Sequence, residues 1–318
     1  MPPEPAAAAL TPGTPAAPAV AAPQLAPVAA PAPLPAAPAA NGLLATLRRH
    51  PPALIGAGVL LAIAVLALAA PLLFPGDPLA ITGAPFLWPG TSLAHPLGTD
   101  SLGRDILAGL AHGARVSLGI GFAAAGLGLV VGIALGALAG YLGGWVDAVL
   151  SQLIEIFQTL PSFVLLVVLV SIAQPTTATL SGAIALVTWP MVARLARAEC
   201  RSLREKDFVL AARSLGYGHL RILVHEILPG ALPPIIVTAS VLVASAILME
   251  SALSFMGLGD PNTVSWGSMI GQGREYLRSA WYMSALPGLA ITLTVLALNL
   301  LGDALNEALN PRRKGTRR

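Results

Sequence analysis

Long apolar runs recur along this chain, each interrupted by a short polar, proline-containing or glycine-containing stretch. A membrane helix needs about 20 largely apolar residues, since the rise is about 1.5 Å per residue and the hydrocarbon about 30 Å thick. Residues 53–73 form the first such run, entered from LRRHPP and stopped by PLLFPGDP. Residues 116–142 form the second, rich in Gly and Ala, whose small side chains let helix backbones approach closely and predict an interior helix. No charge occurs from residue 156 to 193, too long a run for one span, and AQPTTA at 173–178 offers the turn that divides it. The earlier half reaches spanning length only if it starts near residue 150, which places Glu155 and Pro161 inside a helix ending near Ala173. The later half runs over 180–195, and further spans are predicted at 234–256 and 283–301.

Composition agrees with this pattern. The 318 residues are 55% hydrophobic and 10% charged, against about a quarter charged in soluble domains, and the mean hydropathy is +0.76. The prediction is an all-α integral membrane protein of about six transmembrane helices. Residues 1–41 are nearly all Ala and Pro and read as a disordered or polyproline-like cytoplasmic tail, without the basic start and compact apolar stretch of a secretory signal. With the N-terminus inside, 14 of the 18 Lys and Arg fall on the cytoplasmic side, counting the tail RRKGTRR, and only Arg104, Arg115, Arg274 and Arg278 fall outside. That bias predicts both termini in the cytoplasm. The single cysteine, Cys200, allows neither an internal disulfide nor a cysteine-based metal cluster.

Under this topology the largest internal loop is residues 199–230, carrying AARSLGYGHLRILVHEILP. Residues 206–215 read as a short helix beginning at Lys206, with Asp207 in its first turn and Gly216 just past its end. A second helical stretch, 219–228, is expected to end at Pro229 and lead into the next span. Ala211 and Ala212 on the first helix leave a surface that seats closely in a groove. Charge alone explains the basic residues of this loop as a positive-inside signal or a patch for anionic lipid, but explains neither Gly216, Pro229 nor the Ala pair. His219 and His225, six apart, do not share a helical face, and no metal site is expected.

These residues resemble the permease subunits of bacterial ABC importers, whose cytoplasmic loop carries Ala-Ala, three residues, Gly, and a Leu-Pro further on. The matching residues are Ala211, Ala212, Gly216, Leu228 and Pro229. HPLGTDSLGRDILAGLAHGARVSLGIG at 95–121, ESALSFMGLGDP at 250–261 and SWGSMI at 265–270 narrow the resemblance to the C-type, binding-protein-dependent permease of dipeptide and oligopeptide importers. It implies a type I importer permease fold. Its parts would be a first span and external segment at 42–115, a core at 116–311 containing the coupling loop, and a basic tail at 312–318. It also implies that Lys206 to Gly216, with Leu228 and Pro229, form a coupling helix docking into a separate ATPase subunit. Many members have Glu before the Ala pair where this chain has Leu210, which removes the carboxylate that a salt bridge there would need.

The partners implied are a second permease subunit, two ATP-binding subunits and an extracytoplasmic binding protein. The chain would sit as a multi-pass protein among the lipids of the bacterial inner membrane, with no nucleic acid. No cofactor is expected in this chain: it has no G-x-x-x-x-G-K-[ST] sequence to cradle ATP, so ATP and Mg belong to the ATPase subunits. Peptides are the expected cargo, with nickel chelates, glutathione and other solutes as alternatives.

Gly98, Asp100, Gly103, Arg104 and Asp105 form a polar external motif. It reads either as an ordered turn near the substrate entrance or as a helix cap started by Asp100 or Ser101. Glu250 is a carboxylate within a span and therefore a functional candidate, although its distance from Pro234 puts it near the outer interface, where it would pair with an Arg or cap a helix. Glu155 reads as interfacial and Pro161 as a kink; with Ser254 and Gly257 these are the candidate pathway or gating residues. A gradient-driven carrier would want ionisable residues near the midplane, and an intramembrane enzyme would want a nucleophile with its base or a metal pair; neither pattern is present.

Overall fold

The computed structural model describes residues 51–309; the Ala/Pro-rich tail at 1–41 and the basic tail at 312–318 lie outside them. Along the described chain run α1 (Pro51–Leu73), α2 (Ile106–Leu142), α3 (Gly144–Thr159), α4 (Ser162–Ile172), α5 (Thr177–Arg204), α6 (Asp207–Ser214), α7 (His219–Phe255), α8 (Trp266–Gly273) and α9 (Tyr282–Leu309). Helix is the expected choice because a chain crossing lipid must satisfy its own backbone donors and acceptors. Helices α1, α2, α5, α7 and α9 are each long and apolar enough to cross a membrane, and the α3–α4 pair makes a sixth crossing if counted as one broken span. An even number of crossings returns the chain to its starting side. Below, the inner end is the side that the Lys and Arg bias assigns to the cytoplasm.

The structure shifts three of the sequence-based boundaries. Helix α2 begins at Ile106, ten residues before the run at 116, because Asp105 caps it by accepting the Leu107 N–H at 2.9 Å. The third span is not one helix through Pro161. It breaks between Thr159 and Ser162 with a bend of 85°, since Leu160, the residue before a proline, adopts an extended conformation with ψ 137°. Nor does the stretch from His219 end at Pro229. A π-helical turn, Ile222–Ile227, precedes the proline, and the Leu228 N–H bonds the Leu223 carbonyl five residues back. Pro229 then falls directly after the π-turn, at the start of the following α-helical stretch, and the helix continues to Phe255.

The bundle is organised around α2 and α5, which share its most extensive helix–helix contact. Gly128, Gly132, Gly136 and Gly140 recur every four residues along α2 and so fall on one face. A Cβ on Gly132 would stand 2.6 Å from the Val192 Cβ and 2.8 Å from the Trp189 carbonyl oxygen. On Gly136 it would overlap the Ala193 backbone, and on Gly140 the Arg197 carbonyl. The two backbones approach with no α2 side chain between them at these positions. Asp147 of α3 forms a two-pronged ion pair with Arg197 of α5, one prong being Nη2 to Oδ2 at 2.8 Å, and ties α3 to the same seam. Helix α1 lies at the edge, against α2 and α9, with Leu61, Leu68 and Leu72 exposed on the face that lipid would cover.

The seam sets a prediction. Gly136→Val should lower the thermal unfolding midpoint of the detergent-solubilised protein, by the equivalent of about 1–3 kcal/mol or more, as overpacking does. Gly119→Ala, where a Cβ meets nothing within 4 Å, should leave it unchanged.

Candidate coupling loop and buried carboxylate network

At the inner end α6 packs against the foot of the bundle. Val209 and Ala212 are buried with Tyr141, Cys200, Ile222, Ile227 and Ala231. Asp207, Leu210, Ala211 and Ser214 face outward. The two alanines therefore do not share a surface, contrary to the sequence reading: neighbours on a helix point about 100° apart, so Ala212 fills the chain's own core and Ala211 alone is presented. Lys206 is the residue before the helix and its side chain makes no capping bond. The helix stops where the Gly216 N–H bonds the Arg213 carbonyl at 2.9 Å and the Tyr217 N–H bonds the Ala212 carbonyl at 3.1 Å. This paired stop requires the left-handed φ of +78° at Gly216. A Cβ there would meet nothing within 4 Å, so conformation and not space calls for glycine. Leu228 is partly buried against the same cluster, and Pro229 is exposed.

The loop is fastened to α2 through Tyr141. Its hydroxyl lies 3.0 Å from Nδ1 of His219, its carbonyl accepts from Arg204 at 3.1 Å, and the Arg213 guanidinium stands over its ring at 5.8 Å. At this end Leu215 and Leu220 are 72% and 74% exposed.

Within the bundle, Glu250 has no accessible surface. It neither pairs with an arginine nor caps a helix, correcting both local alternatives for it. Its Oε1 accepts from Ser254 at 2.7 Å, and its Oε2 accepts from Ser117 at 3.1 Å and Ser251 at 3.4 Å. Ser117 in turn accepts the Trp266 N–H at 3.2 Å. One carboxylate thus joins α2, α7 and the start of α8. Hydroxyl donors offset the desolvation that makes a buried carboxylate costly. Gly267 is part of the fit, since a Cβ there would stand 2.6 Å from the Ser251 Cα. Gly257 ends α7 with φ +85° and the same paired stop seen at Gly216. Glu155 is exposed on α3, and Pro161 is exposed at the break beside it; neither approaches Glu250, Ser254 or Gly257 in any hydrogen bond or ion pair.

The outer motif folds the segment between α1 and α2 onto the bundle. The Asp100 Oδ1 accepts from the Leu102 and Arg104 N–H groups at 2.8 Å each, closing a turn, so Asp105 and not Asp100 or Ser101 is the helix cap. Gly98 (φ +82°) and Gly103 (φ +86°) pass against the carbonyls of Leu87 and Gly83, where a Cβ would overlap. Thr99, fully buried, donates to the Ala84 carbonyl and accepts from the Leu87 N–H, and the Tyr282 hydroxyl reaches the Leu87 and Thr99 carbonyls at 2.9 and 3.1 Å.

Residues 132–315 match the family described as binding-protein-dependent transport system inner membrane component. The chain belongs to this family. It is 38% identical over 269 residues to the dipeptide transport system permease protein DppC of Alkalihalophilus pseudofirmus, covering 84% of this chain and 88% of that one. It is 44% identical over 219 residues to the di/tripeptide transport system permease protein DppC of Pseudomonas aeruginosa, covering 69% and 72%. The glutathione transport system permease protein GsiD of Pectobacterium atrosepticum is 38% identical over 84% of this chain and 89% of its own. Among solved structures, a chain of the inward-facing MetNI methionine ABC transporter shares the fold, with TM-score 0.53 at 18% identity over 64% of this chain and 96% of that one. This chain is thus a multi-pass, all-α inner-membrane permease with the expected fold.

Four polar residues of this permease escaped the sequence reading. Ser117 carries no signal in a run read as apolar. Asp147 and Arg197, 50 residues apart, become partners only through the α2–α5 seam. Asp260 was quoted only as part of a motif, yet its Oδ2 accepts from the N–H and hydroxyl of Thr177 at 3.1 and 3.2 Å, holding the first turn of α5. The Glu250 network predicts that Glu250→Ala, which strands three serine hydroxyls, lowers the unfolding midpoint by the equivalent of about 1–3 kcal/mol. Glu250→Gln keeps two acceptor or donor positions and should lose clearly less; equal losses for Ala and Gln would show that the hydrogen bonds are not what holds the site.

Proposed function

We propose that this chain is one permease half of an ATP-driven importer of dipeptides and short oligopeptides. A second permease subunit, two ATPase subunits holding ATP and Mg, and an extracytoplasmic binding protein complete it. In this reading residues 116–311 are the permease core, 199–230 the coupling loop, and both termini are cytoplasmic. Relatives named for dipeptide and di/tripeptide transport support the cargo. The observation that carries the coupling role is the outward face of α6 at the inner end. Leu210 is 51% exposed beside Ala211, on a helix whose opposite face is locked into the bundle. Leu215 and Leu220 are also more than half exposed at this end, and apolar surface gathered outside the lipid is typical of a protein contact. Leu210, where many members carry Glu, would make that contact apolar.

Mechanically, α6 cannot move alone. Val209 and Ala212 share a core with Tyr141 and Ile227, and Tyr141 meets His219. A displacement of α6 by closing ATPase subunits is therefore passed to α2 and α7, and through the α2–α5 seam to the rest of the bundle as a rigid-body change of access. The permease itself carries out no hydrolysis in this scheme. A second cargo reading, glutathione, rests on the GsiD relative.

Gly216→Val, forcing a β-branched residue into the left-handed region at about 1–2 kcal/mol or more, should reduce peptide uptake and stimulated ATP hydrolysis together in proteoliposomes containing the whole transporter. Unchanged uptake and assembly would sink the docking role. His219→Ala, which leaves the outward face of α6 intact, should retain the ATPase subunits but lower the peptide transported per ATP hydrolysed. Competition of labelled dipeptide uptake by unlabelled glutathione separates the two cargoes.

A further inference from the structure

The outer end holds a cleft that the coupling scheme does not use. It encloses about 450 Å³ between the segment preceding α2, the turn after α7, and α8. This is within the usual range of small-ligand sites, about 300–1,000 Å³. Arg104 and Arg274 line it from separate elements, together with Ser254, Asp260, Thr263 and Gln272.

Its two positive charges are weakly paired and its one negative charge is committed. Arg104 forms a long ion pair with Asp100, Nε to Oδ2 at 4.0 Å, and that buried Nε makes no hydrogen bond. Arg274 stands over the Phe255 ring at 5.4 Å, with Nη1 3.5 Å from the Phe255 carbonyl, and forms no ion pair among the described residues. Asp260, the only carboxylate on the cleft wall among the described residues, accepts from Thr177 through Oδ2 and from the Asn262 N–H through Oδ1. Glu250 is not presented to the cleft: it is fully buried, and Ser254 turns its hydroxyl toward it.

Two guanidinium groups in one concave site large enough for a small molecule, Arg274 with no carboxylate partner among the described residues and Arg104 with only a 4.0 Å contact to Asp100, fit a planar carboxylate. We infer that this cleft is a carboxylate-binding subsite at the outer mouth of the permease, taking the C-terminal carboxylate of a peptide as it leaves the binding protein. The cargo rests on the peptide-import reading above; the carboxylate chemistry rests on the cleft alone. A hollow of this size suits a small ligand better than the acidic surface of a docking protein, which would meet a flatter face.

Saturation-transfer NMR on the intact transporter in mild detergent, without its binding protein, tests the site with alanylalanine and its C-terminal amide as probes. The free acid should bind about tenfold more tightly than the amide, the scale of one lost charge-assisted pairing. Arg274→Gln should bring the acid down to the level of the amide, and Arg274→Lys should restore part of the difference. Equal binding of acid and amide, or acid binding that survives Arg104→Gln with Arg274→Gln, would overturn the subsite. Uptake in proteoliposomes separates this from the cargo question. If the acid binds through the arginines yet no peptide is imported, the peptide reading fails and the carboxylate site stands. If the double variant imports peptide at full turnover but with a raised KM for the loaded binding protein, the arginines belong to protein docking and the subsite is wrong.

Discussion

The contact between α2 and α5 is the constraint on which the other arrangements depend. In lipid the hydrophobic effect does not drive one helix against another, so close van der Waals packing has to do so. Four glycines spaced by four residues remove the side chains that would hold the backbones apart, and Val192, Trp189, Ala193 and Arg197 fill the space they leave. Because this seam runs along α2 to its inner end, it fixes what stands there. Tyr141, one residue after Gly140, becomes the anchor for His219, Arg204 and Arg213, and so for the whole coupling loop.

Polar groups inside the bundle act as joints between helices. Glu250 gathers hydroxyls from its own helix and from Ser117, which also takes the Trp266 N–H, so α2, α7 and α8 meet at one carboxylate. Asp147 and Arg197 join α3 to α5, and Asp260 holds the start of α5 from the turn after α7. Each pairing gives a charge or polar group a partner, which offsets the cost of holding it away from water. Each is also a point where movement of one helix must be felt by another, which suits a protein whose proposed work is to pass a displacement from the inner end to the outer.

Glycine has two different uses here. At Gly132, Gly136 and Gly267 a Cβ would collide with a neighbour. At Gly216 and Gly257 there is open space, and the positive φ of a helix stop is what excludes other residues. The family-like motifs quoted from the sequence contain both kinds, and nothing in their spelling separates them.

Much of the fold was legible in one dimension because the bilayer imposes a length and a polarity on every crossing. The apolar runs located the spanning helices, and the spacing of Ala211, Gly216 and Pro229 marked the family. A kink was read at Pro161, but the full break there, the continuation through Pro229 and the start of α2 at Ile106 were not legible. They depend on local backbone hydrogen bonding: an extended Leu160, a π-helical turn, and a cap from Asp105. The split between Ala211 and Ala212, the partners of Glu250 and the placing of Arg104 and Arg274 on one cleft were decided only in three dimensions. Composition and period determine which residues must leave water and in what helical register; which of them then touch is set by helix packing between segments far apart in the chain.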